Sequence, residues 1–249
     1  MNIYCANADY ISGFLMTFAP RVKNALDAIG SGRPIVVFDS EGREGESDIV
    51  VHASAATPAI IELLRRDAGG LICLATDSKV AKKLQLPFLA DLYATPAHGS
   101  KVLEKIAYRL APYGDKPSFS VAINHRGTFT GISDKDRSLT ATEFAKLASH
   151  ASNGIREKFM RDFKSPGHLH LLIGRGIENR KGHTELALEI ARLANMPPAM
   201  LVCELLSSVR PMTKRQAKAY AKKQGFAFVE GKDIIGAGAR NAAKKGKAP

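Results

Sequence analysis

Hydrophobic residues recur along the chain with two different periods, and segments of the two kinds alternate. Apolar residues spaced three and four positions apart predict a helix over 21–29, which Gly30 ends. The continuous apolar run from Ile35 to Phe38 predicts a strand buried on both faces. By the same criteria, further strands are predicted at 48–53, 71–75, 118–124, 169–173, 199–203 and 226–229, and further helices at 58–68, 78–84, 102–110, 184–194 and 214–224.

N-cap signals mark where several helices begin. A Thr or Asp ahead of an apolar stripe accepts hydrogen bonds from the first free backbone N–H groups, and a Glu or Gln three residues later completes a capping box. The sequence predicts such starts at Thr57 (followed by Pro58), at Asp77, at Thr140 with Glu143 ahead of a helix through Ala148, and at Thr213 with Gln216.

The alternation of strands and helices without internal repeats favours an α/β (α+β) fold, a single-domain mixed sheet packed with helices. The chain has 249 residues, of which 45% are apolar, and this is enough for one substantial core. We expect an N-terminal extension over 1–20, one catalytic domain over 21–235 and a basic C-terminal tail over 236–249.

Three features of the composition indicate a cytoplasmic protein. No stretch approaches the roughly twenty apolar residues of a membrane span. The first twenty residues lack the basic start of a secretory signal. Cys5, Cys73 and Cys203 are widely separated single cysteines, which agrees with a reducing compartment and not with a disulfide scaffold.

The net charge of +12 is concentrated near the C-terminus. Residues 211–249 contain ten Lys and Arg against two acidic residues, so this end carries +8 and the rest of the chain +4. The basic run from Arg240 to Lys247 has no aromatic residues that could stack on bases, so we do not expect nucleic-acid binding. The positive remainder favours a phosphorylated or otherwise anionic small substrate.

An acidic loop follows the first buried strand. Residues 39–48 read D-S-E-G-R-E-G-E-S-D, with five carboxylates and one arginine. If the segment is extended, Glu44, Glu46 and Asp48 project to one side, where a divalent cation would relieve their repulsion. A solvated acidic turn is the alternative. The end of a buried strand is where α/β proteins place their ligands, and we therefore favour a cation or substrate site.

Two histidines lie in loops that suit chemistry. The run S-P-G-H places His168 after a predicted rigid turn, and R-K-G-H-T places His183 at the start of a helix. A neutral imidazole can bind a metal or act as a base, while Arg180, Lys181 and the free N–H groups at a helix start could bind phosphate. Taken singly, each histidine could equally be a surface or capping residue. Glu204 ends a strand, another position suited to chemistry.

Six motifs, in order and spacing over roughly residues 20–235, resemble the 3,4-dihydroxy-2-butanone 4-phosphate synthase family. They are the acidic loop, D-A-G-G-L-I-C-L at 67–74, H-R-G-T-F-T-G-I-S-D-K-D-R at 125–137, S-P-G-H at 165–168, R-K-G-H-T-E at 180–185 and C-E-L-L at 203–206.

The resemblance implies a lyase of riboflavin biosynthesis that needs Mg²⁺ or Mn²⁺. The substrate would be D-ribulose 5-phosphate, and the products (3S)-3,4-dihydroxy-2-butanone 4-phosphate and formate. The implied route runs through an enediol, dehydration, a skeletal rearrangement and loss of C4. The family also implies a homodimer with its sites near the subunit interface. Because the chain ends before a fused second enzyme domain would begin, we expect a monofunctional form.

The resemblance also implies roles for particular positions. Glu44 and His183 match the metal ligands, and the bound substrate would complete the coordination shell. The implied substrate contacts are Arg43, Asp48, Arg180, Lys181, Gly182, His183, Thr184 and Glu204, with the phosphate on Arg180, Thr184 and the helix start. His168 and Glu204 would transfer protons, and Asp39, Glu46, Cys73 and Thr130 would line the site.

The chain departs from the family in one loop. Residues 169–180 are shorter than usual, and Ile173-Gly174 stands where an arginine is common, so Arg175 is a candidate replacement. Three alternatives stay open at this point. They are another metal-dependent sugar-phosphate lyase or isomerase on the same scaffold, a nucleic-acid-binding protein that uses its basic tail, and an inactive paralogue that serves as a scaffold.

Overall fold

The structure, a computed structural model, describes residues 18–107, 110–150 and 154–245. Its strands are β1 (Ile35–Phe38), β2 (Ser47–His52), β3 (Cys73–Asp77), β4 (Phe119–His125), β5 (Phe163–Gly174), β6 (Ala199–Glu204) and β7 (Ala227–Glu230). Its α-helices are α1 (Pro20–Gly30), α2 (Pro58–Leu63), α3 (Ser78–Leu84), α4 (Leu89–Ala94), α5 (Lys101–Ile106), α6 (Asp134–Ser149), α7 (Ile155–Asp162), α8 (His183–Leu193), α9 (Lys214–Gln224) and α10 (Gly231–Lys245).

The strands form one mixed sheet with the order β4-β5-β3-β6-β2-β1-β7. β1 pairs with β7, and β3 with β5, in parallel, while the other neighbours pair antiparallel. All four residues of β1 are buried because helices cover both faces of the sheet there. The predicted α/β (α+β) fold with a mixed sheet is therefore confirmed.

Two apolar layers lie on opposite faces of this sheet. On one face, α2, α6 and α9 pack over residues that include Ile49, Leu74 and Leu201. On the other, α1, α8 and α10 pack over residues that include Val50 and Met200. The second face positions the functional site, because His183, the first residue of α8, lies beside Asp48 at the start of β2.

Several predicted helix starts are confirmed. Thr57, Asp77 and Thr213 each accept a backbone N–H bond, and Thr213 forms its capping box with Gln216. The predicted capping box at Thr140 is wrong. Ser133 caps α6, and acidic residues in the first turn stabilise its positive end, so the helix begins about two turns earlier than predicted. Thr140 lies inside the helix, where its hydroxyl donates to the main-chain oxygen of Asp136.

The predicted rigid turn before His168 is also wrong, because these residues belong to strand β5. They form an irregular part of the ladder, since Asn124 pairs with Lys164 while Ile123 already pairs with Leu169. Pro166 has no N–H to donate, and it fits where regular pairing is interrupted. His168 therefore has a position that the sheet determines.

The ends of the chain and its middle differ from the prediction. The predicted boundary at 235/236 falls inside α10, whose residues Ile234, Ala237 and Asn241 are buried. Only residues 246–249 of the proposed tail, and 1–17 of the proposed extension, lie outside the described residues. Helix α7 was not predicted, and the helix predicted at 102–110 ends at Ile106, with residues 108 and 109 outside the described residues. No helix of the described ranges is both long and apolar enough to cross a membrane.

Candidate active site

The acidic loop between β1 and β2 folds around the side chain of Asp39. One carboxylate oxygen of Asp39 accepts the N–H of Glu44 at 3.1 Å, and the other accepts the N–H of Glu46 at 3.0 Å. The main-chain N–H of Asp39 donates to the main-chain oxygen of Glu46 at 3.1 Å, and Gly45 has a positive φ of 69°. Asp39 is thus a buried anchor of the loop, and its oxygens are already occupied by donors.

The predicted extended spacing of the three carboxylates is only partly correct. Residues 41–44 form a turn, so the loop is not extended until β2 begins. Glu44 and Asp48 both line one cavity. Glu46 is not among the lining residues, although its main-chain oxygen lies 3.2 Å from Nε2 of His183.

His183 brings the start of α8 to the acidic loop. Its Nδ1 lies 3.4 Å from Oε2 of Glu44, and its Nε2 lies 3.6 Å from Oδ1 of Asp48. The imidazole is buried, with 7% of the residue exposed.

Burial alone would lower the pKa of His183, but Asp48 and Glu44 raise it to about 9. Burial would raise the pKa of Glu44, but its bonds to His183, Tyr113 and Arg43 lower it to about 2. Burial is the main reason that the pKa of Asp48 rises to about 7.

Asp39, Glu44 and His183 each place one ligand atom within 4.8 Å of the others, as a metal site requires. Carboxylate oxygens suit Mg²⁺ and Mn²⁺, and a single imidazole is compatible with Mn²⁺ as well. Because both Asp39 oxygens accept N–H bonds, Glu44 and His183 are the better ligands. The geometry therefore fits the ligand pair that the family resemblance implied.

Two arginines lie beside the acidic loop and the start of α8; Arg180 lines the cavity and Arg43 does not. Nη1 of Arg43 contacts Asp39 at 3.2 Å and Glu44 at 2.6 Å, and its Nε donates to Asp115 at 3.0 Å. Nη1 of Arg180 donates to a buried carboxylate, Glu185, at 2.6 Å. Both guanidinium groups are therefore held by the protein before any substrate binds.

The start of α8 has the features of an anion site. Its N-cap, Gly182, provides no side chain to cap the helix, so the first N–H groups remain available to a ligand. A Cβ on Gly182 would lie 2.3 Å from Arg180 and 2.7 Å from Arg43, so a glycine lets both arginines approach the helix. Thr184 and Arg180 line the cavity beside it.

The cavity has a volume of about 320 Å³ and lies between the sheet and residues 111–118. Cys73, Leu172 and Val202 contribute its apolar floor. Glu204, at the end of β6, also lines it and pairs in register with Asp48. Burial, followed by the charges of Glu204 and Asp48, raises the pKa of the Cys73 thiol, so Cys73 is neutral and not a thiolate nucleophile.

A second cluster of predicted site residues lies elsewhere, where β4 meets β5. The main-chain N–H of His168 donates to Oδ1 of Asn124 at 2.9 Å, and Nδ2 of Asn124 donates to the main-chain oxygen of Thr130 at 3.3 Å. Neither His168 nor Thr130 lines the cavity, and both are exposed. Within this chain, His168 and Thr130 are therefore separated from the predicted site residues that line the cavity.

Two other candidates lie outside the cavity. Lys181 lines a separate groove between α8 and α10 and is exposed. The Arg175 guanidinium stacks 3.6 Å over the ring of Phe88 and donates to the main-chain oxygen of Pro117. Arg175 does not line the cavity, so the structure does not place it where the family's arginine was expected.

Four residues near these clusters were not predicted as site residues. Tyr113 donates a hydrogen bond to Glu44, and Asp115 contacts both arginines. The segment that carries them has no clear periodicity and gave no signal of its own. Asn124 lies in a predicted strand. Glu185 belongs to the R-K-G-H-T-E motif, but the sequence analysis assigned it no role.

Comparison with known proteins identifies the same family that the motifs indicated. The sequence profile described as 3,4-dihydroxy-2-butanone 4-phosphate synthase matches residues 23–237. A protein of that name from Methanosarcina mazei is 39% identical over 220 residues, which cover 86% of this chain and 89% of the relative.

Solved structures show the same fold. RibBX, a two-domain 3,4-dihydroxy-2-butanone 4-phosphate synthase from A. baumannii, superposes with a TM-score of 0.70 at 27% identity, over 86% of this chain and 56% of that one. A 3,4-dihydroxy-2-butanone 4-phosphate synthase in complex with two magnesium ions has a TM-score of 0.69 at 23% identity, over 91% of this chain and 99% of that one.

Proposed function

The chain belongs to the 3,4-dihydroxy-2-butanone 4-phosphate synthase family of riboflavin biosynthesis, and we propose that its cavity converts D-ribulose 5-phosphate into (3S)-3,4-dihydroxy-2-butanone 4-phosphate and formate. The observation that carries the proposal is the meeting of Glu44 and His183 in the cavity that also contains Arg180 and the start of α8. Glu44 and His183 suit a divalent cation, and Arg180 with the start of α8 suits a phosphate.

Glu44 and His183 would hold Mg²⁺ or Mn²⁺. When bound, such an ion would polarise the C2 carbonyl of the substrate and stabilise the negative charge that develops there. Asp39 supports this end of the site because its hydrogen bonds to the main chain of Glu44 and Glu46 determine the path of the loop. Tyr113 also contacts Glu44 and so helps to orient its carboxylate.

Arg180, Thr184 and the N–H groups at the start of α8 would bind the phosphate. A guanidinium and a helix start both present N–H donors to an anion, and the partial positive charge of the helix end adds to the attraction. We place the sugar between Glu204 and the acidic loop, because Glu204, Glu44 and Asp48 all line the cavity. The apolar floor excludes water below the reacting carbons.

The products determine which proton transfers the residues must perform. The product has a methyl group at C1, so the C1 hydroxyl leaves as water after a proton is removed from C3 to form the enediol. The skeletal rearrangement follows, and the addition of one water then breaks the bond to C4 and releases it as formate. Glu204 lines the cavity and is the first proposed proton-transfer group, acting as a base or an acid. His168 is the second proposed proton-transfer group.

We place both proton-transfer groups in one site through a homodimer. His168 and Thr130 lie outside the cavity of their own chain. Beside Thr130 in the sequence, Phe129 is 91% and Ile132 52% exposed, and Phe119, which lines the cavity, is 40% exposed. A second copy covering this surface would bury these side chains and could bring its His168 to the cavity. We place the reaction in the cytoplasm, which agrees with the free and buried Cys73 and Cys203.

Mixing two inactive variants tests this arrangement. If each site uses residues of both chains, random exchange of Glu44→Gln and His168→Asn chains restores about a quarter of the wild-type activity, because half of the dimers then contain one intact site. If each site uses one chain alone, the mixture stays inactive. Analytical ultracentrifugation of the wild type measures the dimer independently.

The activity itself is tested by NMR. The purified protein is incubated with ribulose 5-phosphate, first with Mg²⁺ and then with a chelator, and formate and the four-carbon phosphate are followed together. Both products should form only with metal and be lost in Glu44→Gln and His183→Asn. The control is Glu62→Gln, which removes a half-exposed carboxylate on α2. Binding without turnover, or simple isomerisation, would instead favour a different sugar-phosphate enzyme.

A further inference from the structure

The loop of residues 111–118, which borders the cavity, carries a carboxylate that contacts both Arg43 and Arg180. Oδ2 of Asp115 lies 3.0 Å from Nε of Arg43 and 3.4 Å from Nε of Arg180. One oxygen of this residue therefore stands between two guanidinium groups that come from loops far apart in the sequence. No other described residue forms an ion pair with both.

Other carboxylates already hold the outer nitrogens of these arginines. Nη1 of Arg43 contacts Asp39 and Glu44, and Nη1 of Arg180 contacts Glu185. Nη2 of Arg43 donates to Tyr113 at 3.4 Å. The Nε atoms of both arginines meet at Asp115, which lines the cavity. A phosphate oxygen at that point would make the contacts that Asp115 makes now.

The contact of Asp115 with Arg180 is incomplete. Nε of Arg180 is buried, and it lacks a well-aligned hydrogen bond in the described part of the chain even though Asp115 lies 3.4 Å away. A buried donor without a good acceptor is costly, so a better-placed oxygen would be favoured over this carboxylate.

The exposed fractions of the three side chains show which of them can move out of this contact. The Asp115 side chain is 26% exposed, whereas the side chains of Arg43 and Arg180 are 9% and 11% exposed. Asp115 therefore lies on the solvent side of the arginines and can turn into water. The arginines cannot follow, because Asp39, Glu44 and Glu185 hold them.

We propose that Asp115 is a positioning residue that acts as an internal substitute for the substrate phosphate. In the empty site its carboxylate keeps the Nε groups of Arg43 and Arg180 directed at one point, and the incoming phosphate displaces it. The inference rests on the proposed function for the identity of the substrate. The proposal states that the carboxylate of Asp115 and a phosphate compete for the same two arginines. This competition can be measured without any reaction taking place.

Competition predicts an unusual result for Asp115→Asn. The amide keeps the shape but loses the charge, so inorganic phosphate should bind about tenfold more tightly than to the wild type. The KM for ribulose 5-phosphate should also be lower in Asp115→Asn than in the wild type, and kcat should not rise. A residue that only braced the loop would give the opposite result, because its loss would let the arginines move and weaken phosphate binding.

The measurement is calorimetric titration of the full-length protein with inorganic phosphate, without sugar substrate. Asp91→Asn is the matched control, because it removes a carboxylate from a neighbouring pocket that neither Arg43 nor Arg180 lines. If Asp115→Asn does not fold, as judged by circular dichroism, Asp115→Ser replaces it.

Tighter phosphate binding in the Asp115 variant, but not in Asp91→Asn, supports the inference. Equal or weaker binding in the Asp115 variant, equal tightening in the control, or no measurable phosphate binding by any of the proteins would overturn it. The proposed function is judged separately by formate release from the wild type. Formate release with no gain in phosphate binding by Asp115→Asn would leave the function standing and remove this inference alone.

Discussion

Asn124 holds His168 through both polar atoms of its side-chain amide. Its Oδ1 accepts the main-chain N–H of His168 at 2.9 Å, and its Nδ2 lies 3.1 Å from Nδ1 of the imidazole. The same Nδ2 donates to the main-chain oxygen of Thr130. Nδ1 of His168 also lies 3.4 Å from Oδ1 of Asn124, so the amide contacts Nδ1 in either neutral tautomer. Nε2 is therefore the ring nitrogen of His168 that can face a substrate.

Replacing Asn124 should impair catalysis more than substrate binding. In Asn124→Ala, His168 loses the partner that orients its ring, and we expect kcat to fall on the order of tenfold with little change in KM. Steady-state formate release measures both constants. Lys164→Ala is the control, because Lys164 pairs with Asn124 in register on β5. An unchanged kcat in Asn124→Ala would contradict the orienting role.

Asp39→Asn should weaken the fold and the metal site together. An amide retains one acceptor oxygen, but its NH₂ group would face a main-chain N–H, and the contact with Arg43 would lose its charge. We expect the free energy of unfolding to fall by about 2 kcal/mol, and Mg²⁺ binding to weaken because Glu44 is no longer positioned. Urea unfolding and Mg²⁺ titration measure the two effects. Glu41→Gln, an exposed change in the same loop, should alter neither. A loss of stability with unchanged Mg²⁺ affinity would refute the link to the metal.

Gly70→Ala should displace Glu204. A Cβ at position 70 would lie 2.9 Å from the main-chain nitrogen, Cβ and Oε2 of Glu204, and the main chain cannot give way easily. We expect kcat to fall at least tenfold, because Glu204 is the proposed proton-transfer group in the cavity. Gly30→Ala is the matched control, since nothing lies within 4 Å of an added Cβ there. If Gly70→Ala is as active as Gly30→Ala, this packing does not position Glu204.

His52 should make the protein less stable in mildly acidic solution. Burial lowers the pKa of His52, whose Nε2 lies 2.9 Å from the main-chain oxygen of Pro197 and whose Nδ1 accepts the N–H of Ser54. A lowered folded-state pKa means that the unfolded chain takes up the proton first. The contribution of neutral His52 to the stability of the fold is complete above the pKa of the unfolded chain, about 6.5. This contribution is lost as the pH falls toward the lower pKa that His52 has in the folded protein.

Urea unfolding at pH 7.5 and pH 5.5 tests this prediction. Other groups titrate in this range, so the informative quantity is the difference between the wild type and His52→Gln. The wild type should lose more unfolding free energy than the variant on acidification. Equal losses would show that His52 does not contribute to the pH dependence.

Local patterns predicted the secondary structure where regular hydrophobic spacing was combined with a cap. β1, α8 and α9 were predicted within one or two residues, because burial on one or both faces requires a characteristic spacing. The prediction was wrong at Thr140, where a second N-cap signal lay within a helix that Ser133 had already begun. Capping motifs of this kind also occur inside helices, where tertiary contacts decide which of them is used.

The family resemblance implied Glu44 and His183 as metal ligands, and it could be found because the motifs that carry it are compact. The acidic loop contains Glu44 within a dense group of carboxylates, and R-K-G-H-T places His183 at a helix start. The contribution of Tyr113 and Asp115 could not be predicted in this way. They lie in an irregular segment, and their role depends on contacts with Arg43 and Arg180 that no local pattern encodes.

By itself, the sequence determined the fold class, the family and the residue types that meet in the cavity, because periodicity and motifs are properties of neighbouring positions. Only the tertiary structure decided that Asp39 anchors its loop, that Lys181 and Arg175 lie outside the cavity, and that His168 and Thr130 form a separate cluster. These facts depend on the path of the chain between distant segments. That path is set by how whole strands and helices pack against one another, and not by the spacing within any one of them.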